Sequence, residues 1–147
     1  MTRLAEQVTI RLPAEAAIAN VADFTRQTEW DPNTRSSRRI DEGPLSIGAR
    51  FALEVNVGGR SAPMEYRITE YDPPHRVVLV GEGSGVWSSD EISFTTIPGG
   101  TRVDYVAEIK LRGILALAQP LMGGALAKIG RGAAEGMRAA LEAQASR

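Results

Sequence analysis

Ser88 and Asp90 stand two residues apart in VWSSDEISFTTI, residues 86–97. Alternation counted back from Phe94 and Ile92 turns both side chains toward the apolar face of a strand. A carboxyl on that face must find a partner or take up a proton. Pairing each strand with its neighbour across the intervening turn sets Arg76 opposite Asp90 near the sheet end, where an ion pair satisfies the charge. The alternative makes Asp90 a general acid or base facing a bound molecule, with the Tyr66 or Tyr105 hydroxyl as donor. A β-bulge that reverses the face is the third reading.

Other chemistries are poorly supplied. The chain has one histidine, His75, and no cysteine. That removes a thiol nucleophile and leaves little for a His-based metal site or a Ser-His-Asp triad. No EF-hand-like run of acids is present, so neither a metal nor any other cofactor is expected. His75 follows Pro73-Pro74 and reads as an exposed turn residue. Gly81, Gly83 and Gly85 spell G-x-G-x-G, but within a hairpin turn rather than between strand and helix, which argues against nucleotide binding. Lys plus Arg total 17 and Asp plus Glu total 18. Such balance provides no global field for nucleic acid. Arg35, Arg38 and Arg39 form the densest basic group and read as surface charges or a contact for a partner protein. MTRLAEQVTI lacks the apolar core of a signal peptide. The uncharged run 113–127 is too short and too interrupted to span a membrane. A cytoplasmic protein without integral membrane association is expected.

These candidates need a scaffold. Val8, Ile10 and Leu12 alternate with polar residues and predict a strand over 6–12. Pro13 opens a helix over 14–22, and a second short helix over 25–29 ends near Asp31-Pro32. Period two then dominates. Strands are expected at 38–41, through Phe51, Leu53 and Val55, through Met64, Tyr66 and Ile68, at 77–80, at 86–96 and at 101–111. Turns at Gly58-Gly59-Arg60-Ser61, Asp72-Pro73-Pro74, GEGSG and Pro98-Gly99-Gly100 separate them, describing an antiparallel meander. The expected register sets Leu53 opposite Tyr66, Ile68 opposite Val78, Val78 opposite Ser88, and Ile92 opposite Tyr105. From 113 to 145 the spacing is helical, with Met122, Ala125, Ile129, Met137 and Leu141 on one stripe and a kink at 120–124. A sheet with one apolar face and a helix with one apolar stripe each need the other, and a strongly curved sheet leaves a gap between them.

The order of elements resembles the helix-grip fold of the START and birch-pollen-allergen superfamily, most of all its polyketide cyclase/dehydrase-like branch. Glu29-Trp30-Asp31-Pro32, Gly43-Pro44-Leu45 with Gly48, Glu70-Tyr71-Asp72-Pro73-Pro74 and Gly100-Thr101-Arg102-Val103 carry the resemblance, which spans about residues 6 to 142. It implies a single α+β domain over 1–147: a curved antiparallel sheet of about seven strands wrapped round a long C-terminal helix, with two short helices between strands 1 and 2. It also implies a hydrophobic cavity between sheet and helix. The expected walls are Trp30, Phe51, Leu53, Val55, Met64, Tyr66, Ile68, Val78, Ser88, Asp90 and Tyr105, faced by Leu121, Met122, Ala125 and Ile129. Trp30 either plugs the core or borders the cavity; in both places its indole N–H needs a partner. The expected function is binding of a small hydrophobic molecule: a polyketide, lipid, isoprenoid or aromatic metabolite. The alternative is a cyclase or dehydratase acting on a poly-β-keto or aromatic substrate through Asp90, Tyr66 and Tyr105. The fold alone does not decide between them, and assembly as a homodimer is left open.

Overall fold

The computed structural model describes every residue except Gly58 and the side chain of Val57. The predicted turn at Gly58-Gly59-Arg60-Ser61 therefore lies partly outside the described residues. Strand β1 runs Thr2–Ile10, helix α1 Ala14–Val21, and a 3-10 helix Phe24–Glu29. Strands β2 (Thr34–Arg39), β3 (Arg50–Val57), β4 (Arg60–Asp72), β5 (Arg76–Gly83), β6 (Val86–Ile97) and β7 (Gly100–Leu111) follow. A second 3-10 segment, the cap, spans Gly113–Leu121, and helix α2 spans Gly123–Ala145. The strands form one seven-stranded antiparallel sheet in the order β1-β7-β6-β5-β4-β3-β2. This is the expected helix-grip architecture.

Local chemistry explains the element ends. Pro13 adopts φ −61° just ahead of α1, a geometry fixed by its ring. The Asp23 carboxylate accepts from the Thr25 N–H at 3.1 Å and caps the first 3-10 helix, satisfying a donor that the helix start leaves free. The kink expected at 120–124 is present and divides the tail into two pieces meeting at 85°. Pro120 and Gly123-Gly124 sit at that break, where a missing N–H and low helix propensity weaken continuity. First strand and second strand also lie nearer the N-terminus than predicted, at 2–10 and 34–39.

Helix α2 packs its Leu126, Ala133, Ala134, Met137 and Leu141 inward. Small residues let it come close. A Cβ on Gly136 would collide with the Trp30 carbonyl, so glycine at this turn sets how deeply the helix seats against the Trp30 backbone.

Three of the four expected register pairs need correction. Leu53 pairs with Met64, and Phe51 with Tyr66; this two-residue shift keeps every side chain on its expected face. β5 is different. A bulge between Ile68 and Glu70 pairs Ile68 with Leu79, and Gly81, not Val78, faces Ser88. Val77, Leu79 and Gly81 therefore share the inner face, and Val78 lies on the outer one. The run Val77–Val80 is apolar on both faces, so it carried no period-two signal to fix its orientation. The expected pair Ile92–Tyr105 is present.

Candidate functional site

The interior divides into a filled half and a hollow half. Beneath α1 and the first 3-10 helix, Phe24 stacks obliquely on Tyr66 and Phe51, with ring centroids 5.3 and 6.1 Å away. Trp30 meets Phe24 and Tyr105 edge-on, both at 6.2 Å. Phe51, Leu53, Ile68, Leu79, Ile92 and Phe94 complete this solid part. Trp30 is thus a core residue behind the cavity wall. Its Nε1 has no hydrogen-bond partner among the described residues.

Toward the first half of α2 the packing opens into a cavity of about 140 Å³. Its apolar walls are Leu4, Val55, Met64, Val86, Ala107, Ile109 and Leu111 from the sheet, with Met122, Leu126, Ile129, Gly130 and Ala133 from the helix side. Its polar groups are Gln27, Asp31, Asn33, Asn56, Tyr66, Ser88, Asp90 and Tyr105. Asn33, Asn56, Val86 and Met122 are partly exposed and form its rim.

Two glycines create the polar wall. Tyr66, Gly81 and Ser88 are consecutive partners across β4, β5 and β6. A Cβ on Gly81 would lie 2.5 Å from the Tyr66 ring. Without it the ring lies across β5, and Tyr66 Oη reaches Ser88 Oγ at 2.9 Å. One strand pair further on, Met64 lies over Gly83 in the same way, where a Cβ would meet its sulfur at 2.5 Å. The glycine pattern in this hairpin therefore lets two long side chains cross a strand.

Asp31 is saturated: it accepts from Gln27 Nε2 at 3.1 Å, Thr34 Oγ1 at 2.9 Å and the Asn33 N–H at 2.9 Å. Asp90 is not. It lies on the inner face between Leu79 and Ala107, 5% exposed, with its carboxyl on the cavity. The expected ion pair with Arg76 is absent. Arg76 pairs across with Ser93, and its guanidinium binds Glu70 at 2.9 Å and also Glu91 on the outer face. The β5–β6 hairpin produces this outcome: its ladder closes at Gly83–Val86 and runs without a bulge, which sets Leu79, not Arg76, opposite Asp90. No Lys, Arg or His stands among the described cavity walls.

The electrostatic consequence is large. Burial pushes the Asp90 carboxyl up to about 7; the Tyr105 hydroxyl draws it down in part, and the Asp31 charge pushes it further up. The Tyr66 and Tyr105 phenols are both raised, first by burial and then by the Asp90 charge. They remain hydrogen-bond donors throughout the neutral range. A carboxyl balanced between its two protonation states thus faces an apolar hollow beside two neutral hydroxyls, a set able to hold or move one proton.

Of the residues expected to form the site, the structure gathers Val55, Met64, Tyr66, Ser88, Asp90, Tyr105, Met122 and Ile129 around the cavity. Trp30, Phe51, Leu53 and Ile68 point inward but are consumed by core packing. Val78 is on the outer face for the reason given above. Leu121 is 88% exposed and Ala125 is also exposed, because the break at 122 turns both away from the sheet. Gln27, Asp31, Asn33 and Asn56 were missed. They come from loops and a strand end, where no periodicity marks direction; the Asp31-Pro32 turn was the one usable signal. Within the basic group, Arg39 binds Asp41 at 2.5 Å and lies over the Phe51 ring. Arg35 reaches Asn56 and Gly59. His75 is exposed in its turn.

An open antiparallel sheet gripping a terminal helix around an apolar hollow defines a class of ligand-cavity proteins. The family model described as "Polyketide cyclase / dehydrase and lipid transport" matches residues 1–143, and the chain belongs to this family. Among curated proteins it is similar to Toxin Rv0910 of Mycobacterium tuberculosis, with 29% identity over 85 residues, 58% of this chain and 59% of that protein. The match thus spans little more than half of that relative's length. Among solved structures, TTHA0849 from Thermus thermophilus superposes with a TM-score of 0.81 at 15% identity, covering 97% of this chain and 98% of the other. The Zhui aromatase/cyclase from Streptomyces sp. R1128 gives 0.71 at 18% identity, covering 99% and 93%. At these identities the structures establish a shared fold.

Proposed function

We propose that the protein binds a compact, uncharged, mostly apolar molecule that carries one hydrogen-bond donor. One observation bears most of the weight: the Asp90 carboxyl faces the cavity with the Tyr105 hydroxyl beside it and no cation among the described walls to balance it. An anionic guest meets two acids, Asp31 and Asp90, in a low-dielectric space and is repelled. A hydroxyl or enol gives the Asp90 carboxylate a second donor beside the Tyr105 hydroxyl, where the fold supplies no cation. Size narrows the class further. A cavity near 140 Å³ matches the dry hollow of about 150 Å³ that holds benzene in another protein. The site as it stands therefore suits a one-ring guest, or one end of a longer chain emerging at the Asn33–Met122 rim. Native mass spectrometry with solvent extraction of the purified protein tests this. A co-purified neutral apolar molecule supports the reading; persistent emptiness against lipid and polyketide panels contradicts it.

A second reading is favoured by the same carboxyl, and the family's cyclases, such as the Streptomyces aromatase/cyclase, give it context. Asp90 as carboxylate takes a proton from carbon next to a carbonyl. The C–H bond's electron pair becomes an enolate whose oxygen accepts from the Tyr66 or Tyr105 hydroxyl. Asp90 then returns the proton to a β-hydroxyl, which leaves as water. Deuterium exchange at the α-carbon of a neutral cyclic ketone such as cyclohexanone measures the first step. Asp90→Asn should slow it by about 10²–10⁴ while affinity changes little; an unchanged rate removes the enzymatic reading.

A further inference from the structure

The most unusual surface of the molecule is the cap. Ile114, Leu117 and Leu121 are 84%, 79% and 88% exposed. They are not loose ends of an unfolded strap. Gln119 fixes the cap from within, donating to Thr2 Oγ1 at 3.0 Å and the Ile109 carbonyl at 2.8 Å, while its Oε1 accepts from the Leu111 N–H at 3.0 Å. Leu115 seats on Gly85, where a Cβ would leave only 2.8 Å to the leucine. The polar side chain is thus spent inward and three large apolar ones are held outward, against the ordinary direction of burial. Single exposed leucines need no explanation, but a contiguous fixed group marks a contact surface.

Charge says what it contacts. Of the chain's 17 Lys and Arg and 18 Asp and Glu, residues 110–131 hold four cations and no acid. Lys110 and Arg112 precede the cap, and Lys128 and Arg131 follow it on α2. All four are exposed, and none has an ion-pair partner among the described residues. An apolar tip flanked by unpaired cations, in a chain of net charge −1, has the pattern of a segment that lies in the boundary of an anionic bilayer. A second copy of this chain would bring the same four cations against themselves.

We propose that the cap docks the protein on an anionic lipid bilayer, with Ile114, Leu117 and Leu121 entering the acyl boundary and Lys110, Arg112, Lys128 and Arg131 meeting the headgroups. This surface adjoins the cavity, since Leu111 and Met122 at the two ends of the cap are both cavity walls. Docking therefore brings the hollow against the apolar layer. The inference stands on the cap alone and does not require the proposed ligand.

Co-sedimentation of the purified protein with vesicles of phosphatidylcholine, with and without phosphatidylglycerol, tests it. Binding to the anionic vesicles alone is expected, with release as salt rises. Each of Lys110→Gln and Arg112→Gln should weaken partitioning about fivefold. The double variant Ile114→Asp/Leu117→Asp should abolish binding yet keep the wild-type melting temperature, because both side chains are exposed. Should that variant misfold, Leu121→Asp serves the same comparison. Equal binding to neutral vesicles, no binding to either, or binding insensitive to these substitutions overturns the proposal. So does a dimer in sedimentation that the aspartates dissociate in the absence of any vesicle binding.

Discussion

Replacing Asp90 by Asn tests the electrostatics of the cavity through stability, without any ligand. Asp90 is raised from 3.8 to about 7 in the fold. The folded state then holds a proton that the unfolded state has released, so stability must fall as pH rises from the unfolded value toward the folded one. Asp41, Glu135 and Glu142 are shifted the other way, each chiefly by a side-chain bond to an arginine. Their contributions are fully present above the ordinary carboxylate range and are lost only in acid. A window from about pH 5.5 to about pH 8 therefore isolates Asp90, and integrating the proton difference across it gives a loss of about 2 kcal/mol. For a chain of this size that is roughly 4–8 °C in melting temperature. Urea unfolding followed by tryptophan fluorescence, at constant salt, reads it directly. Wild type should lose this stability across the window, and Asp90→Asn should show a flat profile. A wild type that gains stability with pH would mean that Asp90 is paired with a cation, and an Asn variant that keeps the slope would mean that another group carries it; either result refutes the reasoning.

Three further substitutions probe how the site is built. Gly81→Ala should cost about 1–3 kcal/mol by forcing a methyl against the Tyr66 ring, and the loss should shrink in a Tyr66→Ala background, as a double-mutant cycle in urea unfolding would show. Tyr66→Phe removes the bond to buried Ser88 and should cost about 1 kcal/mol in the same assay, leaving the far-ultraviolet circular dichroism unchanged. Ala133→Phe directs a ring into the hollow; it should eliminate small-molecule binding by calorimetry while changing the unfolding midpoint little.

Much of the fold was legible because its signals were redundant. Alternation in β4, β6 and β7 fixed their faces, and the turns at Asp72-Pro73-Pro74 and Pro98-Gly99-Gly100 fixed their ends. The even-numbered error at Leu53 did no harm, since a two-residue slip preserves the face. β5 failed because Val77–Val80 is apolar throughout and the bulge beyond Ile68 leaves no compositional mark. The β5–β6 turn, tighter than GEGSG suggested, moved Arg76 away from Asp90 and changed the chemistry expected of the site. The direction of Asp90 itself was readable from Ile92 and Phe94. What sequence could not reveal was competition for space: Trp30, Phe51, Leu53 and Ile68 all face inward, and only packing decides that they fill one half while Met64, Tyr66 and Tyr105 border the empty one. Pro120 and Gly123-Gly124 marked the kink in the tail, but not its 85° angle, which presents Leu121 to the outside.

The most direct measurement is calorimetric titration with three near-isosteric probes, toluene, 4-methylphenol and 4-methylbenzoate, at a pH where Asp90 is ionised. The account predicts that 4-methylphenol binds tightest, toluene more weakly by about tenfold for the missing hydrogen bond, and 4-methylbenzoate not measurably. Benzoate binding as tight as the phenol, or no heat with any of the three, would contradict it.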